Sequence, residues 1–163
     1  MSEWVWGVDV AVSHLAFGLA DLGSDLIEVE TLITGNDTRE GERLGLLDRQ
    51  TRTFARQLAG RYPPACVWVE QPSGRFPSPQ LGYACGVVQA AVYEALAVPV
   101  WTIPSGKWKK RSCGFGNASK DQVRFWVSNT LRLDADTQDE HDAICIAHAG
   151  RDIFTTRKWD AAA

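Results

Sequence analysis

Apolar and polar residues alternate in short runs over the first third of the chain, and then the period changes. "WVWGVDVA" (4–11), "HLAFGLADL" (14–22) and "LIEVETLI" (26–33) are rich in β-branched and aromatic residues, which predicts three strands. "VS" joins the first pair and "GS" the second, so tight antiparallel turns are expected. Beyond them Leu44, Leu47, Thr51, Phe54 and Leu58 recur every three or four residues, as on one face of a helix. Gly60 and the Pro63-Pro64 pair stop that helix. "ACVWVEQ" (65–71) returns to strand character, "LGYACGVVQAAVYEAL" (81–96) predicts a helix with many small surface residues, and "VPVWTI" (98–103) predicts a fifth strand. "PSGKWKKRSCGFGN" reads as a basic, glycine-containing loop with a helical turn. "SKDQVRFWVSNTLRL" (119–133) opens on a capping box, Ser119 with Gln122, and buries Val123, Trp126, Val127 and Leu131. "TQDEHDAICIAHAG" (137–150) is the last helix. The order β-β-β-α-β-α-β-α-α predicts an α/β fold: one mixed five-stranded sheet with helices on both faces.

Composition narrows the field. With 163 residues the chain is the size of one domain with a proper core, taken as a single unit over 1–163. The 45% apolar and 23% charged content is that of a globular protein, and seven tryptophans argue against disorder. A net charge of −3 gives no overall attraction to nucleic acid, so such binding must rest on a local patch. No segment is long enough to span a membrane and the N-terminus lacks a signal peptide, so a cytoplasmic protein with no membrane partner is expected. Cys66, Cys85, Cys113 and Cys145 show no C-x-x-C spacing and read as reduced, mostly buried thiols.

The candidate chemistry lies in the acids. On the first strand Val8 and Val10 point one way, and Val5, Gly7 and Asp9 the other. Asp9 sits among apolar neighbours, where a carboxylate is costly unless it is paired, bonded to backbone amides or bound to metal. On the fourth strand Cys66, Trp68 and Glu70 share a face; Glu70 is either a solvated strand end or part of a site. Thr137 and Glu140 form a capping box at the start of the last helix. Capping and the helix dipole account for Glu140 and at most one aspartate, not for both Asp139 and Asp142, whose spacing of three puts them on one side of the helix. If that helix packs over strands 1 and 4, four carboxylates meet, and such a cluster stays ionised only with cations. All-oxygen ligation suits Mg²⁺, with Mn²⁺ as a substitute, two per site, rather than Zn²⁺. Such ions promote phosphodiester hydrolysis. His141, next to these acids, is expected to be exposed or else a minor modulator of the site, and His14 reads as a turn residue.

Five segments in order resemble the RuvC family of Holliday-junction resolvases, which has a ribonuclease-H-like fold. They are "VWGVDVAVSHLAFGLADL", "VWVEQ", "LGYACGVVQAAVYEAL", "GFGNASKDQV" and "DEHDAICIAHA", and they span about Trp4 to Gly150. The resemblance implies metal-dependent hydrolysis of DNA at four-way junctions or other branched DNA, by a homodimer that nicks two strands symmetrically. It places Asp9, Glu70, Asp139 and Asp142 on the metal-binding carboxylates. It puts Lys120 beside the scissile phosphate, as a catalytic residue, and Lys109 at a second basic position. Two departures stand out: "DVAVSH" lacks the glycine that usually follows the first aspartate, and the loop "PSGRFPSP" is distinct. They mark a divergent, phage-type member with a broader range of branched substrates as the expectation.

Lys107, Lys109, Lys110, Arg111 and Lys120 gather in one stretch of an otherwise acidic chain and are assigned to phosphate contacts, against the alternative of a solvated loop. Arg75 and Phe76, between prolines, either contact bases at the junction centre or fold back on the domain. Two other readings are open. In a ribonuclease H acting on RNA–DNA hybrids, Glu42 on the first helix would supply the glutamate. In a silent branched-DNA binding module, the acids would have no use.

Overall fold

The protein is described by a computed structural model, which covers residues 3–35, 39–72 and 78–162, with side chains as far as residue 156. Its sheet has the order β3-β2-β1-β4-β5, built from β1 (Trp4–Val10), β2 (His14–Asp21), β3 (Ile27–Ile33), β4 (Pro64–Gln71) and β5 (Val100–Pro104). β1, β2 and β3 pair antiparallel; β4 joins β1, and β5 joins β4, in parallel. The mixed sheet expected from the strand pattern is therefore present, with its crossovers made by helices.

Strand alternation sorts the core into two layers. Trp4, Trp6, Val8 and Val10 face α1 (Glu40–Ala59) and α2 (Pro79–Leu96), with Leu47, Leu58, Val88 and Val92 filling the space between. Val5, Cys66 and Trp68 face the opposite layer, formed by α3 (Ser105–Cys113), α4 (Lys120–Trp126) and α5 (Gln138–Ala162). Asp9 continues the Val5–Gly7 side of β1, so it lies beneath α5.

α5 comes unusually close to the sheet. Gly7 and Gly18 are paired across β1 and β2. A Cβ on Gly7 would stand 2.2 Å from the Ala147 nitrogen, and one on Gly18 would stand 2.2 Å from the Ala143 oxygen. A Cβ on Gly150 would be 2.4 Å from the Trp68 ring. The two strand glycines form a trough, and the trough draws α5 over β1 and β2 instead of over strands 1 and 4. The bulk of Trp68 holds the helix off β4. The middle of α5 is tied down by Arg151, which donates to the carbonyls of Asp21 and Ser24 at 3.1 and 2.8 Å.

Two segments depart from the sequence pattern. The basic stretch is a nine-residue helix, α3, not a loop. Trp108 and Ser112, four apart, are its buried face, too short a stripe to stand out among lysines. Gly114, at φ 85°, ends it. The helix expected over 119–133 keeps its Ser119–Gln122 capping box, but continues as a π-helical turn over Val127–Leu131.

Candidate active site

The acids lie at one edge of the sheet, where β1 and β4 end and α5 begins. Asp9 is next to last in β1 and Glu70 next to last in β4. The two side chains are hydrogen-bonded, and Asp139 and Asp142 of α5 are near enough to act on Asp9 through their charge. Burial, then the charge and hydrogen bond of Glu70, then Asp139 and Asp142, push the Asp9 carboxyl up to about 9. Asp142 is pushed up to about 6, first by burial and then by Glu70 and Asp139, against the opposing effects of a Gln138 hydrogen bond and the Lys109 charge. The structure thus brings together the four acids singled out in the sequence. Glu42 is exposed in the first turn of α1, and α1 packs on the other layer.

Each acid is held by neighbours. Trp108, wholly buried on α3, donates its indole N–H to Glu70 Oε1 at 3.2 Å. Gln138 donates to Asp142 Oδ1 at 2.8 Å. His14 Nε2 bonds Asp139 Oδ2. These partners were not singled out as such. His14 is the first residue of β2 rather than a turn residue, and only the strand pairing brings it to α5. Trp108 and Gln138 carried no sequence signal beyond their closeness to Lys109 and Asp139. Glu140 is a cap, as expected: it accepts from the Thr137 backbone at 3.1 Å and from Thr31 at 2.9 Å, and its own N–H donates to Thr137. His141, expected to be exposed, is 4% exposed, with Nδ1 2.5 Å from the Thr137 carbonyl. It falls on the side of α5 turned to the core, so it supports the helix start.

Among the described residues no three His, Cys, Asp or Glu side chains already close on one point as a ligand set. The cluster is open, and like charges this close are costly without a cation. Three observations fit a hard divalent ion. The donors are all carboxylate oxygens. A cavity of about 120 Å³ is lined by Asp9 and Glu70, together with Pro72 and with Leu81 and Cys85 of α2. Gln138 Oε1 is buried and has no hydrogen-bond partner among the described residues, an acceptor suited to a cation's hydration water.

The basic residues divide. Lys109 is half-buried and acts on Asp142; its Nζ lies 5.4 Å from the centre of the Trp108 ring. Lys107, Lys110 and Arg111 are exposed at helical spacings of three and four, and Arg111 is paired with Asp152. Lys120 is exposed at the first position of α4. Gly116 lies against Gly106, where an added Cβ would meet the Gly106 oxygen at 3.1 Å. That approach returns the loop before α4 to the start of α3. Arg75 and Phe76 lie outside the described residues.

A ribonuclease-H-like sheet with acids at the ends of its first and fourth strands and on its last helix defines a nuclease of that fold class. No family model matches the chain. The crossover junction endodeoxyribonuclease RuvC of Azoarcus sp. (strain BH72) is 32% identical over 159 residues, covering 91% of this chain and 84% of that protein. The RuvC of Roseiflexus sp. (strain RS-1) is 29% identical over 149 residues, 86% of each. The chain belongs to the RuvC family of crossover junction endodeoxyribonucleases. The Thermus thermophilus RuvC structure superposes with a TM-score of 0.69 at 25% identity, covering 95% of this chain and 96% of that one. The same protein in complex with Holliday junction substrate gives a TM-score of 0.72 at 23% identity, a likeness of fold. No helix among the described residues is long and apolar enough to cross a membrane.

Proposed function

We propose that this protein resolves four-way DNA junctions and related branched DNA by metal-dependent phosphodiester hydrolysis, acting as a homodimer that nicks two strands symmetrically. The observation that carries the reading is the burial of Asp9 against Glu70 at the sheet edge, with Asp139 and Asp142 near enough to act on it through their charge. A buried set of acids this costly is explained by a cation and by little else. Asp9, Glu70, Asp139 and Asp142 would hold it. Divalent magnesium, two ions per site and with manganese as a substitute, would supply the charge that activates water and offsets negative charge growing on the phosphate.

The chain's own residues do the rest. Trp108 fixes the Glu70 carboxylate through its indole N–H and excludes water from that side. Gln138 orients Asp142, and His14 orients Asp139. Lys109 offsets the summed charge of the acids before DNA arrives. Lys107, Lys110 and Lys120 contact phosphates on either side of the scissile bond, Lys120 beside that bond itself, while Arg111 stays anchored to Asp152. Arg75 and Phe76 are assigned to the junction centre. The outward stripe of Gly82 and Gly86 on α2 is open, with nothing near an added Cβ, and offers a close-packing surface for the second copy.

The test is strand-by-strand mapping of cuts on an immobile four-way junction, beside an RNA–DNA hybrid, with and without Mg²⁺. Paired nicks at symmetric positions, dependent on Mg²⁺, are expected. Cleavage of the hybrid alone would assign the protein to ribonuclease H, and junction binding without nicks would make it a silent binding module.

A further inference from the structure

Two of the four cysteines, Cys113 and Cys145, come together between α3 and α5. Cys113 is the last residue of α3 and half-exposed; Cys145 lies fully buried on α5, one turn past Asp142. Cys113 packs against the buried cluster that holds Cys145, and each thiol shifts the other through a side-chain interaction. The register between the two helices is fixed by the preceding residue, since Ser112 Oγ donates to the Cys145 carbonyl at 2.9 Å and lies 3.3 Å from His148 Nδ1. The geometry points to a redox modification site: a hydroperoxide converts Cys113 and Cys145 to a disulfide, which pins α3 to α5 beside the acids and slows cleavage. This coupling rests on the metal-nuclease reading above; the disulfide does not.

The chemistry balances in two steps. The half-exposed Cys113 sulfur attacks the outer peroxide oxygen, the O–O bond breaks, and the leaving alkoxide or hydroxide takes the thiol proton, giving a sulfenic acid. The Cys145 sulfur then attacks the sulfenic sulfur, and the S–OH oxygen departs as water with the Cys145 proton. Two thiols are oxidised and one hydroperoxide is reduced. Cys113 is suited to the first step because its interaction with Cys145, aided by Lys109, lowers its thiol from the ordinary range. Cys145, raised by the same interaction and by burial, is suited to wait as the resolving thiol. Cys85 is a poor competitor: burial and the charges of Asp9 and Glu70 push it up to about 11.

The coupling to the site runs through α3. Trp108 and Lys109 stand five and four residues before Cys113 on the same short helix, one bonded to Glu70 and the other acting on Asp142. Trp108 is bonded to Glu70, so a cation that repositions the Glu70 carboxylate would draw Trp108 with it. A covalent tie at the end of α3 restricts that movement.

The full chain, treated with hydrogen peroxide and then freed of it, decides the matter. Free-thiol titration should fall from four to two. Intact mass should fall by two hydrogens, and peptide mapping should join the segments that hold Cys113 and Cys145. Nicking of a four-way junction with Mg²⁺ should drop and return with dithiothreitol, and Cys113→Ser should keep its rate through the same treatment. Survival of all four thiols, or oxidation elsewhere, overturns the pair. A disulfide-bearing protein that nicks as fast as the dithiol form overturns the coupling. If the reduced protein never nicks, the nuclease reading fails, and the thiol count still decides the pair.

Discussion

Gly7 and Gly18 face each other across the β1–β2 ladder, and the backbone of α5 rests on both. This close approach sets the height of α5 above the sheet, and with it the distance from Asp139 and Asp142 to Asp9. A Cβ at either position meets helix backbone, which cannot move aside as a side chain can. Gly18→Ala should destabilise the protein by roughly 1–3 kcal/mol, the usual cost of overpacking a filled core. It should also lower nicking in whatever fraction remains folded. Urea unfolding checks the first effect and junction cleavage the second; wild-type stability in Gly18→Ala would contradict the close packing.

Asp9→Asn should abolish nicking and leave junction binding largely intact. The change removes a charged ligand but keeps the size of the side chain and the packing of β1. A gel shift in EDTA measures binding apart from cleavage. Full activity in this variant would discredit the assignment of the acids.

The same residue controls stability against pH in metal-free protein. An unfolded aspartate titrates near 3.8, and folded Asp9 at about 9. Between those values the native state holds the extra proton, so its stabilising effect is complete below pH 3.8 and is lost as pH rises through 9. Asp142, raised to about 6, acts in the same direction. In EDTA the urea midpoint should therefore fall as pH rises across this window, and saturating Mg²⁺ should flatten the fall. Asp9→Asn should flatten it too; an unchanged slope in that variant would mean that another group is responsible.

Trp108→Phe keeps an aromatic ring in the core but removes the N–H that Glu70 accepts. Hydrogen bonds to charged groups contribute about 1.5–3 kcal/mol. If that orientation is needed during cleavage, the rate should fall roughly tenfold or more. A near-normal rate would make Trp108 a packing residue only.

Lys110→Ala combined with Lys120→Ala, both exposed, should weaken junction binding and flatten its salt dependence. For every phosphate that is no longer neutralised, the slope of log affinity against log salt should shrink by about 0.9. Unchanged slopes would move the DNA path elsewhere.

Much of this was legible in the residues, for reasons that differ by element. β1 and β4 were legible because period-two burial is local: it set Asp9 on the face of Val5 and Gly7, and Glu70 on the face of Cys66 and Trp68, without reference to any other segment. The capping box of Thr137 and Glu140 was likewise local, and separating Glu140 from Asp139 and Asp142 on that ground agrees with its hydrogen bonds. His14 was not legible, because its partner Asp139 lies 125 positions away and only the strand order joins them. α3 was hidden because a two-residue buried stripe is weak against the exposed and charged positions around it. The path of α5 over β1 and β2 depended on a glycine pair that sequence spacing does not reveal as a pair.

The most direct measurement is anomalous diffraction from crystals soaked in Mn²⁺. The account predicts manganese bounded by the carboxylates of Asp9, Glu70, Asp139 and Asp142, with Asp9 no longer hydrogen-bonded to Glu70. Crystals of protein active in Mn²⁺ that bind the ion elsewhere, or leave these four side chains undisturbed at saturation, would contradict it.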